Sequence, residues 1–156
     1  MGGSGIMLFL GKSTHNLDEK NRLCLPTRFT TLLSKTVYVS RGFEGCLEIR
    51  SEKEFNEYAN NLLKFSNSSK TVRQVQRVFL GSSINVDIDS AKRILLPTEL
   101  IELVGIKKEV VVSGVGNLIE VWNKSQYEEY IANSEKTYDD AADTLVSKNI
   151  VGGANE

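Results

Sequence analysis

The sequence predicts an α+β fold: an internally duplicated chain whose halves interlock into one small β-barrel flanked by helices. A repeated motif is the first observation behind this. Leu17-Asp18-Glu19-Lys20-Asn21-Arg22-Leu23-Cys24-Leu25-Pro26-Thr27 returns 71 positions later as Ile88-Asp89-Ser90-Ala91-Lys92-Arg93-Ile94-Leu95-Leu96-Pro97-Thr98. The second observation is that the same signals follow each copy. A short helix-like stretch precedes Val37-Tyr38-Val39-Ser40 and Leu47-Glu48-Ile49 in one, Val110-Val111-Val112-Ser113 and Ile119-Glu120-Val121 in the other. Phe55-Asn56-Glu57-Tyr58 and Tyr127-Glu128-Glu129-Tyr130 then open longer helices. The third is burial. Neither half has enough strands to hide its own apolar faces, and two copies are too few for a solenoid. They are expected to pair as halves of one pseudo-twofold unit.

Element by element, residues 1–6 are Gly/Ser-rich and read as an expression remnant, with Met7 the expected natural start. Met7 to Ser13 reads as a strand. Leu17 and Leu23-Cys24-Leu25 flank Glu19-Lys20-Asn21-Arg22, which predicts a hairpin with the charges near its tip. Pro26 ends the strand because it supplies no ladder N–H, and Thr27 stands where an N-cap belongs for a helix around Arg28 to Leu33. Val37–Ser40 and Cys46–Arg50 read as strands. Ser51 is placed to cap a helix from Glu52 to about Phe65, and Ser69 a second one from Lys70 to Phe79. Copy two repeats the order, with Gly114-Val115-Gly116-Asn117 as a hairpin turn, and closes on one long acidic helix, about Lys124 to Leu145. The expected division is 7–66 for the first half, 67–79 for a linker helix, 80–145 for the second half and 146–156 for a frayed tail.

Composition suits one compact domain: 156 residues, 40% hydrophobic and 25% charged, which argues against a disordered chain. No apolar run approaches the roughly 20 residues that span a bilayer. Cys24 and Cys46 lie in β-like runs without the spacing of a metal knuckle, and read as reduced, packed thiols. A formal charge of −1 hides a strong asymmetry. Residues 7–50 hold seven Lys/Arg against four Asp/Glu, and residues 64–93 hold six against two. Residues 99–143 hold four against ten. Base therefore gathers around the repeated motifs and acid in the C-terminal third, a polarised surface.

The Asp-x-x-x-Arg element is the sharpest signal. Asp18 and Asp89 read as structural: a turn carboxylate accepts backbone N–H bonds and pairs with an Arg a few residues on. The cations carry the functional reading. Lys20 and Arg22, then Lys92 and Arg93, project from corresponding loops and could reach phosphate or base edges, with Arg suited to bidentate contact with guanine. The bland alternative makes the two arginines purely structural partners of the aspartates. Lys12 and Arg28 extend the first basic patch, whereas copy two has Ser82 and Glu99 there, so the halves should contribute unequally. Arg73 and Arg77 read as a solvated helix face or a contact between subunits in preference to a DNA contact. His15 is the single histidine. No nucleophile motif or distinctive carboxylate pair accompanies it, so catalysis, metal and cofactor are not expected. Trp122, Phe55, Tyr58, Tyr127 and Tyr130 read as core or subunit-interface residues.

These residues resemble the MraZ family of bacterial transcriptional regulators. Met7 to Gly11 is similar to the family's opening. Asn16 to Arg28 resembles its first signature, Arg73 to Gly81 its linker helix and Asp89 to Pro97 its second signature, so the resemblance covers nearly all of residues 7–135. It implies an AbrB-type swapped-hairpin barrel and a ring-shaped homo-oligomer, of about eight subunits, closed head to tail. It also implies binding to short direct repeats of double-stranded DNA in the promoter of the protein's own division and cell-wall gene cluster. Arg22 and Arg93 carry over as DNA contacts, with Lys20 and Lys92 beside them. The family commonly has Gly before the motif Arg, where Asn21 and Lys92 stand here. Lys enters positive φ less readily than Asn, so the second loop is expected to differ in shape.

The expectation is therefore a non-catalytic, sequence-specific DNA-binding regulator, cytoplasmic and nucleoid-associated, without cofactor or membrane contact. The alternative is an oligomeric ring scaffold that holds protein partners through its acidic helix.

Overall fold

The structure, a computed structural model, describes residues 8–148. The expected leader over 1–6, the start at Met7 and the tail beyond Lys148 lie outside the described residues. Two compact units form, one ending at Lys124 and the other beginning at Ser125.

Among the described residues the first unit has eight strands: β1 (Lys12–Asn16), β2 (Arg22–Cys24), β3 (Thr36–Arg41), β4 (Leu47–Ser51), β5 (Ile84–Asp87), β6 (Arg93–Leu95), β7 (Glu109–Gly114) and β8 (Ile119–Asn123). Four helices accompany them: α1 (Thr27–Thr30), α2 (Glu52–Leu63), α3 (Lys70–Ser82) and α4 (Thr98–Val104). Six strands make one sheet in the order β1-β7-β8-β4-β3-β5, and β2 pairs with β6 in a separate two-stranded ribbon. The duplication is visible in that order. Exchanging β1 with β5, β3 with β7 and β4 with β8 turns the sheet into itself.

Each copy lends its opening strand to the other. β1 runs antiparallel to β7, with Lys12 opposite Ser113, and β5 runs antiparallel to β3, with Asp87 opposite Thr36. The turn expected between Leu17 and Leu25 forms, but it does not close a local hairpin ladder, because its arms pair with the other copy. The physical reason is burial: β4 and β8 join the two copies at the centre, which would leave β3 and β7 with bare outer edges, and the exchanged strands β5 and β1 cover them. Among the described residues, no ladder joins β1 to β5.

Matching residues of both copies fill one core: Leu23, Leu25, Val37, Val39, Leu47 and Ile49 from the first, Ile94, Leu96, Val110, Val112, Ile119 and Val121 from the second. Full burial of such side chains contributes roughly 1.5–3 kcal/mol each. On the other face Tyr38 stacks on Phe55 at 4.3 Å between centroids, and Phe79 lies 5.0 Å from Tyr58. Arg50 sits 4.2 Å over Tyr58 and pairs with Glu48 at 2.7 Å. Trp122 is buried, as expected of a core aromatic.

Several local expectations are corrected. The opening strand begins at Lys12, because Gly11 (φ 82) breaks it, and Phe9 makes only an isolated bridge to Gly116. Thr27 caps nothing: Pro26 occupies the N-cap position without a side-chain bond, and α1 is four residues long. Its counterpart α4 reaches seven residues because Gly105 (φ 71) ends it in a Schellman pattern, with Ile106 N–H returning to the Ile101 carbonyl at 3.1 Å. Ser51 and Ser69 do cap, accepting from Glu54 and Val72 N–H. Cys46 is buried as expected, but Cys24 is exposed on the outer side of the ribbon. In the second unit the single long helix is two, α5 (Lys124–Lys136) and α6 (Tyr138–Ser147). Thr137 leaves the helical region between them (φ −115, ψ 12), and Asp139 and Asp140 open the new helix favourably against its dipole.

Candidate nucleic-acid interface

Each Asp-x-x-x-Arg element folds into the same closed turn. In the first, the Asp18 carboxylate accepts from Lys20 N–H at 2.9 Å, Arg22 N–H at 2.8 Å and Arg22 Nε at 2.7 Å. In the second, Asp89 accepts from Ala91 N–H at 2.9 Å, Arg93 N–H at 2.8 Å and Arg93 Nε at 2.9 Å. Backbone bonds match as well: Asn21 N–H reaches the Asp18 carbonyl and Lys92 N–H the Asp89 carbonyl, both at 3.0 Å. The backbone N–H of the motif arginine is the leading reason that each Asp titrates below the usual carboxylate range; the arginine side chain adds to it.

The second loop therefore keeps the shape of the first, against expectation. Asn21 and Lys92 both take left-handed backbone, φ 63 and φ 67. That costs a lysine roughly 1–2 kcal/mol. Three N–H bonds to Asp89 hold the turn shut and offset it.

The ribbon carries both arginines outward together. Arg22 lies opposite Leu95, Leu23 opposite Ile94 and Cys24 opposite Arg93. Leu23 and Ile94 are buried, so the alternating residues Arg22, Cys24, Arg93 and Leu95 share the outer face. The two turns also touch: Arg93 Nη1 lies 3.9 Å from Asp18 Oδ2. Asp18 thus faces the arginines of both copies. Lys20 and Lys92 are exposed beside them.

Lys12 and Arg28 are exposed too, but their place is the opening segment. Arg28 Nε donates to the Leu10 carbonyl at 3.4 Å, and its guanidinium lies over Phe29 at 4.6 Å. His15, on β1, bonds to Ser13 Oγ at 2.7 Å; burial and then Arg28 hold its pKa below the ordinary histidine value.

Three lysines are not singled out by the sequence alone. Leu17 N–H donates to the Lys108 carbonyl at 2.9 Å, and a groove of about 620 Å³ runs between the first turn and Lys107-Lys108. The second copy repeats the contact, Ile88 N–H donating to the Lys35 carbonyl at 2.8 Å. A signal exists: Lys35 and Lys108 both stand just before the third strand of their copy. It is mute without the strand exchange, which sets each beside the other copy's motif.

Comparison with known proteins agrees with the duplication. The family model described as "MraZ protein" matches the chain twice, over residues 8–78 and 79–149. The chain is 37% identical over 138 residues to "Transcriptional regulator MraZ" of Mycoplasmoides gallisepticum, covering 88% of this chain and 97% of that one. The protein of that name from Ureaplasma parvum serovar 3 is 36% identical over 145 residues, 92% of this chain and 100% of the relative. That of Dictyoglomus thermophilum is 41% identical over 123 residues, 79% and 84%. These relatives are named regulators, not enzymes. With two matched copies and full-length relatives at this identity, the chain belongs to the MraZ family.

Proposed function

We propose that the protein is a sequence-specific transcriptional regulator that reads short direct repeats of double-stranded DNA in the promoter of its own division and cell-wall gene cluster. One observation carries the reading: two Asp–Arg turns with the same hydrogen-bond pattern present Arg22 and Arg93 on one outer face of a two-stranded ribbon. B-DNA's major groove admits such a ribbon, and Arg recognises guanine there bidentately. Asp18 and Asp89 hold each Nε and so fix the direction of the guanidinium. Lys20, Lys92, Lys12 and Arg28 supply phosphate contacts, which position without specifying. The names of the relatives support a DNA-binding regulator.

The exchange of opening strands supports the swapped-hairpin barrel that the family resemblance implies. A ring-shaped homo-oligomer, of about eight subunits, would set several such ribbons against successive repeats and add weak contacts through effective concentration. Work on the nucleoid in the cytoplasm follows from that role.

A second reading, the ring as a scaffold for proteins, draws on the acidic second unit, where Tyr138 is 69% and Val146 51% exposed. Fluorescence anisotropy on DNA from upstream of the gene, against a shuffled duplex and over a salt series, separates the two. The regulator prefers the native repeats and loses that preference in Arg22→Ala. Equal affinity of Arg22→Ala and wild type for the native duplex would remove the role of Arg22, and no binding by either protein would leave the scaffold.

A further inference from the structure

The outer face of the ribbon is not uniformly basic. Along β2 and β6 its four side chains make a square of alternating character. Arg22 faces Leu95 at one end and Cys24 faces Arg93 at the other, so cations occupy one diagonal and apolar groups the other. Leu95 is 54% exposed and Cys24 is exposed, while Leu23 and Ile94 between them are buried. The fold has no use for an apolar side chain at Leu95: the ribbon's core-facing residues are already Leu23 and Ile94.

We infer that Leu95 is a specificity-determining residue that packs on the C5-methyl group of a thymine adjacent to the guanine read by Arg22. Cys24 is its smaller counterpart beside Arg93. The inference rests on the regulator reading and adds which base stands next to the guanine. Dimensions support it. Opposed side chains on paired strands lie about 5 Å apart, and residues two apart along a strand about 7 Å. Base pairs rise by about 3.4 Å. Each Arg–apolar pair therefore spans one base step, and the whole square about two. The thymine methyl is the one apolar group that a base pair shows in the major groove, and an aliphatic side chain is its natural contact. Because Leu95 comes from copy two and Arg22 from copy one, each step is read by both copies together. The unequal size of Leu95 and Cys24 makes the two steps unequal.

The test is selection from a pool of randomised duplexes by the full chain, wild type and Leu95→Ala, followed by affinity for the selected site with each thymine replaced in turn by deoxyuridine. Wild type should enrich guanine next to thymine. Loss of the one methyl should weaken it about fourfold, the equivalent of one buried methylene. Leu95→Ala should keep the guanine and bind thymine and uracil forms alike. Wild-type affinity indifferent to every deoxyuridine overturns the inference while leaving the regulator intact. So does Leu95→Ala that stays as sensitive as wild type, including the case where it changes only the oligomer's size. No enrichment of any sequence by wild type sinks the regulator reading as well. The deoxyuridine series on wild type needs no variant, so its result does not depend on how Leu95→Ala folds.

Discussion

Arg93 of the second copy lies 3.9 Å from the carboxylate of Asp18 in the first, which also holds Arg22 Nε at 2.7 Å. Among the described residues Asp89 has no such double duty; its salt bridge there is with Arg93, at 2.9 Å. The two aspartates are therefore not equivalent. Asp18→Asn should loosen both arginines and lower the preference for the native repeats about tenfold or more, whereas Asp89→Asn should cost less. A base contact is worth about 1–3 kcal/mol. Both variants remove an anion from a basic face, so binding to shuffled DNA should hold or rise. Anisotropy with native and shuffled duplexes checks this; equal effects of the two variants would deny Asp18 its bridging role.

The lysines ahead of the third strands should act as positions for phosphate. Lys108→Ala and Lys35→Ala are expected to weaken native and shuffled DNA alike. Each should reduce the slope of log affinity against log salt by about 0.9, the value for one phosphate contact on B-DNA. Sequence preference should not move. A changed preference with an unchanged slope would make these residues base readers.

Glu48 and Glu120 are cross-strand neighbours where the two copies meet at β4 and β8. Burial raises the pKa of Glu120 above the ordinary glutamate value; Glu48 and Glu44 push the same way, while the Trp122 indole N–H, donating at 2.8 Å, pulls it back. A raised folded-state pKa means that the native protein holds its proton longer than the unfolded chain. Stability should thus fall as pH rises from about 4.3, the unperturbed value, through the folded pKa. Glu120→Gln keeps an acceptor for Trp122 and removes the charge. It should be more stable than wild type at pH 7 by roughly 0.2–1 kcal/mol, the range for cross-strand pairs, and flatter with pH. Urea melts at pH 5 and pH 7.5 decide it; a destabilised Glu120→Gln would mean that Glu120 is held ionised by a favourable contact.

Gly114 and Gly116 should respond differently to alanine. A Cβ at Gly114 would meet the Phe9 carbonyl carbon at 2.4 Å and Leu10 N at 2.5 Å, both backbone. Gly114 N–H also donates to the Gly11 carbonyl at 2.8 Å, so the opening segment has nowhere to shift. Gly114→Ala should cost on the order of 1–3 kcal/mol through overpacking. At Gly116, whose φ is 88, there is open space, and alanine meets only the left-handed backbone penalty of roughly 1 kcal/mol. Thermal melts rank the two, and a milder Gly114→Ala would show that Phe9 and Leu10 are not held against β7.

Much of the fold is legible in one dimension, for reasons that particular residues make plain. Ser51 and Ser69 cap helices because a side-chain oxygen before an apolar run satisfies an orphan N–H, a local matter. Val37–Ser40 and Val110–Ser113 form strands because β-branched residues favour the pleated backbone: Val37 and Val39 bury one face, and Val110, Val111 and Val112 are buried on both. The break at Thr137 is hidden because the pattern on both sides stays helical. Leu95 is hidden for a related reason: along the chain it is one more apolar residue of a Leu-rich strand, and only the ribbon's register puts it outside.

By itself the sequence determined the duplication, the Asp18–Arg22 and Asp89–Arg93 turns and the elements that follow them, since each depends on residues within a few positions of one another. Tertiary structure alone decided that β1 belongs to copy two and β5 to copy one, that Arg22 stands opposite Leu95, and that Lys108 lies beside Asp18. Those relations join residues about 45 to 100 positions apart. Nothing local selects among the possible strand pairings; only the joint burial of both apolar faces does.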